Sequence, residues 1–301
     1  MILIYSFIGR LPSYIIETIY QARLYFNGDI YLILDDINSE YTRRLAIEFN
    51  VKLINYILVI KGDTLIEQLQ KNFNKFASNY NLQGREYLFY RSFERLFIVN
   101  SLITKLNLQD VLSLELDNLI YDDPRKWLEG FRQKPLAWME CDKIKHSSCG
   151  IIYIKDTNSL CGLLDYMLYY VNNNLDDFNC EMRSLYNYTF KLNKNDFQLL
   201  PILKDKMNSY YGNSVFDPAS YGVYLTGKDV IHTNGILTLN LDIEDHVIKC
   251  SDYKYEWREI DGLRKPFIYN EKEDNWILIN NLHVHSKRLD LGLSKPLPKF
   301  E

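Results

Sequence analysis

Glu115 and Asp117 are two carboxylates separated by one residue, directly after the apolar start of VLSLELDNLIYDD (111–123). In an extended segment successive side chains point to opposite faces, so the two acids share a face and Leu116 turns away. Two carboxylates on one face need a cation or protons to coexist. A divalent oxygen-seeking ion such as Mg2+ or Mn2+ takes one or two carboxylates and leaves positions for substrate phosphates. The plainer alternative is that acids often end strands and cap the next helix, as Asp122 or Asp123 would ahead of Pro124.

A second group lies in NNLHVHSKRL (280–289). His283 and His285 alternate onto one face of a short strand, and Lys287 and Arg288 come directly after. Imidazole and cationic donors in one patch can complete a metal shell and grip a diphosphate; the alternative is an edge strand with ordinary polar alternation. VFDPASYGVYLTG (215–227) combines Asp217, a helix start near Pro218 and two glycines that let backbone approach a ligand, or else forms a glycine-punctuated turn. The loop SFIGRLPSY (6–14) comes after the first strand, where a nucleotide commonly lies against backbone amides and a helix N-terminus. It lacks GxGxxG and GxxxxGKS, so neither a dinucleotide fingerprint nor a P-loop is present. Asp35 and Asp36 end the second strand and are suited to a base or ribose, or equally to a solvated turn.

These residues need a scaffold, and the first third of the chain supplies a βαβαβ pattern. It reads as strand 2–8, a helix from Pro12 to about Phe26, strand 29–36, a helix over 39–49 and strand 51–56. Pro12 suits a first helical turn, because its missing N–H would be unpaired there anyway, and Asn27-Gly28 supplies the stop. Helical spacing over 63–80 and 86–107 leads into the strand at 111–116. A strand apolar on both faces belongs inside a mostly parallel sheet covered by helices. Further strands are expected at 134–139, 149–155 and 276–285, with helices at 156–173 and 181–192. Residues 204–274 are richer in turns and read as an antiparallel or irregular lobe. No repeat or linker divides the chain, so one α/β domain over 1–301 is expected.

Composition narrows the function classes. The net charge is −4 and the Lys and Arg are scattered, so a duplex nucleic-acid footprint is missing, while a small anionic ligand can still be met by local charge. Five cysteines contain no CxxC pair, and an odd number leaves one unpaired; reduced thiols in a cytosolic setting are expected. The start MILIYSFIGRLPSY has no basic leading region, and its apolar run is short. It reads as a first strand, neither signal peptide nor transmembrane segment.

Together SFIGRLPSY, ERLFIVN (94–100), ELDNLI, FDPASYGVYLTG and NLHVHSK resemble, in register over almost the whole chain, the GT-A class of nucleotide-sugar glycosyltransferases. The likeness is to the bacterial and large-virus type of that class, with Glu115 where the pattern usually has Asp. The resemblance implies a nucleotide-binding half over about 1–123 and an acceptor-side half over about 124–301. It implies that Asp117 ligates Mn2+ or Mg2+, that Glu115 holds ribose or metal-bound water or ligates directly, and that one of His283 and His285 adds a ligand. His285 is preferred, since Ser-Lys after it would bring Lys287 toward the diphosphate. Arg95 and Lys287 become partners for sugar or diphosphate, with Arg91 a weaker phosphate contact whose alternative is a surface salt bridge. Ser6, Gly9, Arg10 and Asp36 would line the nucleotide pocket.

Sugar transfer breaks a sugar–phosphate bond, so cations must stabilise charge growing on the leaving diphosphate. An inverting enzyme also needs a carboxylate base for the acceptor hydroxyl, and Glu181 and Asp217 are the candidates, with Glu181 slightly preferred. Its alternative is a first-turn acid that favours the helix dipole. The donor expected is a UDP- or GDP-sugar and the acceptor a glycan or other hydroxyl, in the cytoplasm, or the host cytoplasm if the source is viral. A rival reading is a sugar nucleotidyltransferase, which should carry a Gly- and Arg/Lys-rich loop that is absent after Phe7. Another is a non-catalytic domain that holds a glycan or nucleotide sugar.

Overall fold

The computed structural model describes residues 1–77, 86–142, 146–173, 181–191, 195–227 and 247–298. The last residues of the helix expected over 63–80, Cys180, and part of the 204–274 lobe lie outside the described residues. The strands are β1 (Ile2–Phe7), β2 (Ile30–Leu34), β3 (Lys52–Asn55), β4 (Val111–Leu114), β5 (Asn118–Ile120), β6 (Leu136–Asp142), β7 (His146–Ile154), β8 (Phe197–Leu199), β9 (Tyr255–Ile260), β10 (Leu263–Asn270), β11 (Asn275–Leu278) and β12 (Asn281–His283). Seven of them form one sheet in the order β3-β2-β1-β4-β7-β6-β8. Four of its six pairings are parallel, and β7 runs antiparallel to both β4 and β6.

The helices are α1 (Ile15–Tyr25), α2 (Glu40–Phe49), α3 (Tyr56–Ile60), α4 (Thr64–Ala77), α5 (Glu86–Leu106), α6 (Leu128–Phe131), α7 (Cys161–Asn173), α8 (Glu181–Lys191) and α9 (Ser220–Thr226). Pro12 precedes α1 by a turn, in which Ile15 N–H reaches Pro12 O at 3.3 Å. Ser39 caps α2, its hydroxyl accepting from Thr42 N–H at 3.2 Å, and Asn50 ends it in the left-handed region at φ 51°. Asp123 does what its place before Pro124 suggested, accepting from Arg125 N–H at 3.0 Å.

The central strands are apolar on both faces because both faces are covered. Leu3, Tyr5, Leu112, Leu114, Ile151 and Tyr153 pack into a core shared with α1 and the antiparallel ribbon. Their neighbours Ile4, Val111, Ile152 and Ile154 pack into a second core with α4, α5, α7 and α8. Shortening a fully buried position such as Leu112 to Ala costs about 2–5 kcal/mol through lost transfer energy and a residual cavity.

One expected strand is divided. The run 276–285 is two strands in different sheets. β11 pairs with β10 in the antiparallel sheet β11-β10-β9, whereas β12 pairs with β5. The separation places His283, opposite Asn118, against the segment that carries the two acids.

Candidate active site

The C-terminal ends of β1, β2 and β4 lie in one row, since Tyr5 is paired with Leu114 and Phe7 with Leu34. In open α/β sheets ligands bind outside such strand ends. Just past β4, Glu115 N–H donates to Gly150 O at 2.9 Å, and Asn118 N–H closes a turn onto Glu115 O at 3.1 Å. β5 then meets β12, and Val284 N–H donates to Asp117 O at 2.8 Å. A chain separation of more than one hundred and fifty residues is thus closed by backbone pairing.

His283 Nε2 lies 2.9 Å from Glu115 Oε2 and 3.3 Å from Asp117 Oδ2. These three residues offer ligand atoms that lie within 4.8 Å of one another. Two carboxylate oxygens and an imidazole fit a divalent ion such as Mn2+ or Mg2+, and the nitrogen favours Mn2+. The preference for His285 is revised: the strand ends at His283 and turns, with His285 N–H on His283 O at 3.1 Å. His285 meets the His283 ring edge-on at 4.5 Å between centroids.

Two cations flank the acids. Arg95, from α5, pairs with Glu115 Oε1 and donates through Nη2 to Cys149 Sγ at 2.8 Å. Lys287 pairs with Asp117 Oδ2. Burial pushes the Glu115 carboxyl up, but Arg95 and then His283 outweigh it and hold it at about 2. Burial likewise opposes ionisation of Asp117, and Lys287 and His283 hold it well below the carboxylate range. Burial pulls His283 down while Asp117 and Glu115 raise it to about 10; His285, desolvated beside His283, is lowered to about 3.

Glu181, the first residue of α8, is 8% exposed and lies beside the same cation. Ser92 Oγ donates to its Oε2 at 2.8 Å, and burial raises its pKa against the attraction of Arg95. Asp217 is different. It is 0% exposed, and its Oδ1 accepts from Ala219 and Tyr221 N–H while its Oδ2 accepts from Gly222 and His283 N–H, all at 2.7–2.9 Å. Asp217 therefore starts α9 and fixes the backbone of His283. Gly222 is needed here: a Cβ on it would stand 2.1 Å from His283 O, so the glycine brings α9 against β12, not against a ligand as its position suggested.

An amide network completes this support. Asn281 Oδ1 accepts from Asp217 N–H at 2.9 Å, Asn281 Nδ2 donates to Asn118 Oδ1 at 2.8 Å, and Asn118 Nδ2 donates to Gly150 O at 3.1 Å. A Cβ on Gly150 would meet His283 Nδ1 at 2.9 Å, so that glycine makes room for the ring. Among the described residues His283 Nδ1 has no hydrogen-bond partner.

The nucleotide-side candidates lie along the strand ends. Ser6 is paired with Ile33 near the end of β1, and Gly9 N–H donates to Asp35 Oδ2 at 3.0 Å. Asp36 is exposed and accepts from Asn38 N–H at 3.0 Å; Arg10 is exposed. Arg91 is held within the fold by buried Glu94 and lies over the rings of Tyr56, Tyr87 and Tyr90 at 4.8–5.4 Å. Cys149, Ser92, Asn118 and Asn281 were not singled out from the sequence. Asn118 stands directly after the acids, which was the available signal; nothing local marks the other three.

No protein-family model matches the chain, and no curated protein matches it. Among solved structures the fold is similar to mouse xyloside xylosyltransferase 1 in its apo form, at 10% identity and TM-score 0.46, over 66% of this chain and 84% of that one. It is also similar to the glycosyltransferase GlyE of Streptococcus pneumoniae TIGR4, at 15% identity and TM-score 0.41, over 66% of this chain and 44% of that one. A third likeness is to the PaToxG glycosyltransferase, at 14% identity and TM-score 0.37, over 62% of this chain and 68% of that one. Likenesses of this size assign neither residues nor activity, so function is read from the site itself. Among the described residues no helix is long and apolar enough to cross a membrane.

Proposed function

We propose that this chain is a metal-dependent GT-A glycosyltransferase that moves a sugar from a nucleotide-diphosphate sugar, UDP- or GDP-linked, to a glycan or other hydroxyl acceptor. The observation that carries the proposal is the meeting of Glu115, Asp117 and His283 at the C-terminal end of β4, flanked by Arg95 and Lys287. In this reading about 1–123 form the nucleotide-binding half and about 124–301 the acceptor-side half, from which His283 and Lys287 reach back to the metal and diphosphate. Among the described residues Cys149, Cys161 and Cys250 carry free thiols, which supports a cytosolic setting as part of the same proposal.

Glu115, Asp117 and His283 would hold Mn2+ or Mg2+, whose chemistry is to neutralise charge on the leaving diphosphate. Arg95 keeps Glu115 ionised and turned toward His283. Lys287 pairs with a phosphate oxygen as the bond between the anomeric carbon and the diphosphate breaks. Ser6, Gly9, Arg10 and Asp36 line the nucleotide side, where the backbone after β1 offers amides. For an inverting reaction, the acceptor oxygen bonds to the anomeric carbon as Glu181 takes its proton. The raised pKa of Glu181 brings its basicity nearer to neutral pH, which suits that task. Asp217, with both oxygens engaged by backbone amides, serves as support.

The test is a panel of UDP- and GDP-sugars with Mn2+ or Mg2+, read by release of the nucleoside diphosphate. Turnover with one donor, higher with Mn2+, and its removal by a chelator are expected. Binding of a donor without any release of diphosphate under either metal would instead make the chain a nucleotide-sugar-binding protein.

A further inference from the structure

Resting on the reading above, we propose that Lys287 is a resident counter-ion seated on the metal-binding oxygen of Asp117, and that transferring it to a nucleoside diphosphate makes divalent-metal binding conditional on that diphosphate. The two cations of the site engage the acids in different ways. Arg95 takes Glu115 Oε1, the oxygen turned away from His283, and leaves Oε2 facing the imidazole at 2.9 Å. Lys287 takes Asp117 Oδ2, the same oxygen that faces His283 Nε2 at 3.3 Å. Arg95 therefore orients a ligand, whereas Lys287 occupies one.

Their freedom to move differs in the same sense. The Arg95 side chain is 13% exposed and is also held by Cys149. The Lys287 side chain is 38% exposed and projects from a turn closed by Lys287 N–H on Val284 O at 3.1 Å. Its backbone lies at φ 59°, a left-handed conformation that a residue with a Cβ adopts at a cost. A tethered ammonium on a half-exposed, strained turn is the one of the two cations that can leave.

Charge makes its departure necessary. Glu115 and Asp117 carry two negative charges, and Arg95 and Lys287 already balance them. A divalent ion entering between His283 and the acids meets a neutralised cluster and a like charge on its own oxygen. Once Lys287 leaves, Asp117 Oδ2 is open and the site has lost the positive charge that stood on that oxygen against the incoming ion. The displaced ammonium needs an anion at the strand ends, and a diphosphate offers more charge there than a monophosphate. Linkage makes the effect reciprocal: a diphosphate that raises metal affinity by some factor is itself bound more tightly by that factor when metal is present.

Mn2+ titrations of the metal-stripped full chain, followed by electron paramagnetic resonance of free Mn2+, test this without any turnover. Wild type should bind Mn2+ at least tenfold more tightly with UDP or GDP than with UMP or GMP, after correction for the Mn2+–nucleotide complex in solution. Lys287→Met and Lys287→Gln should bind Mn2+ at least tenfold more tightly than wild type with no nucleotide present, and gain less from a diphosphate than wild type gains. Variants that bind Mn2+ no more tightly than wild type without nucleotide overturn the counter-ion role while leaving the metal site intact. Absence of Mn2+ binding in wild type and variants alike, even with diphosphate, removes the metal reading of the site and this inference with it.

Discussion

Glu181 and Asp217 are both buried carboxyl groups, both have pKa values raised chiefly by burial, and both stand near the same site, yet they are held in opposite ways. Asp217 receives four backbone amides, from Ala219, Tyr221, Gly222 and His283. Glu181 is held by the hydroxyl of Ser92 and its own backbone amide, beside the charge of Arg95. Burial alone therefore does not separate an anchor from a base. What separates them is whether backbone donors already engage both oxygens, because such a carboxylate can exchange a proton only by releasing the chain it holds.

The largest expected effect comes from that anchor. In Asp217→Asn the amide nitrogen faces two backbone N–H groups it cannot accept from, and each stranded donor costs about 1–3 kcal/mol. Urea unfolding should show that loss, with His283 and α9 loosened together. A variant that unfolds like the wild type but has lost transfer would return Asp217 to the chemistry and erase the contrast.

Glu181→Gln should do the reverse: the fold persists, and transfer falls by about 10²–10⁴-fold, the usual contribution of a positioned base. Donor binding should remain, as measured by titration with a UDP- or GDP-sugar. A loss of only a few-fold would favour a retaining mechanism that needs no base at this position.

Asp117 stands between these cases, since its backbone carbonyl supports β12 while its side chain faces the site. Asp117→Asn keeps the carbonyl and should keep the fold, with turnover reduced by about 10²–10³-fold, as for the loss of one preorganised electrostatic group. Glu115→Asp retains charge and changes only reach, so its effect should be smaller. Equal losses in the two variants would indicate that both acids ligate directly.

The sequence made the parallel strands and the paired acids legible, because a run such as IYLIL or VLSL is readable from local composition alone. The alternation that puts Glu115 on the face of Ser113 also explains why Arg95 reaches it from α5. The supporting network was not legible, because Asn118, Asn281 and Asp217 meet only after β12 has paired with β5. The division of 276–285 was hidden for a related reason: WILI leads into NNLHVH with no glycine or proline to mark a break, and only tertiary pairing sends the two ends to different sheets. FDPASYGVYLTG stands out in the sequence, but its glycine and acid serve β12 through the backbone, which side-chain chemistry does not reveal.

The smallest effect separates a proton acceptor from an anchor by stability. The folded-state pKa of Glu181 is raised above its ordinary value, so protonation favours the folded state. Its favourable contribution is fully present below the unfolded carboxyl value near 4.3 and is lost as pH rises through the raised folded value. Gln imitates the protonated form at every pH. Glu181→Gln should therefore match wild-type stability at pH 4 and exceed it at pH 8, provided the protein remains folded across that range. Chemical denaturation at the two pH values measures the difference, and an advantage that is absent at pH 8 or larger at pH 4 would contradict the assignment of Glu181 as the strained, functionally available carboxyl.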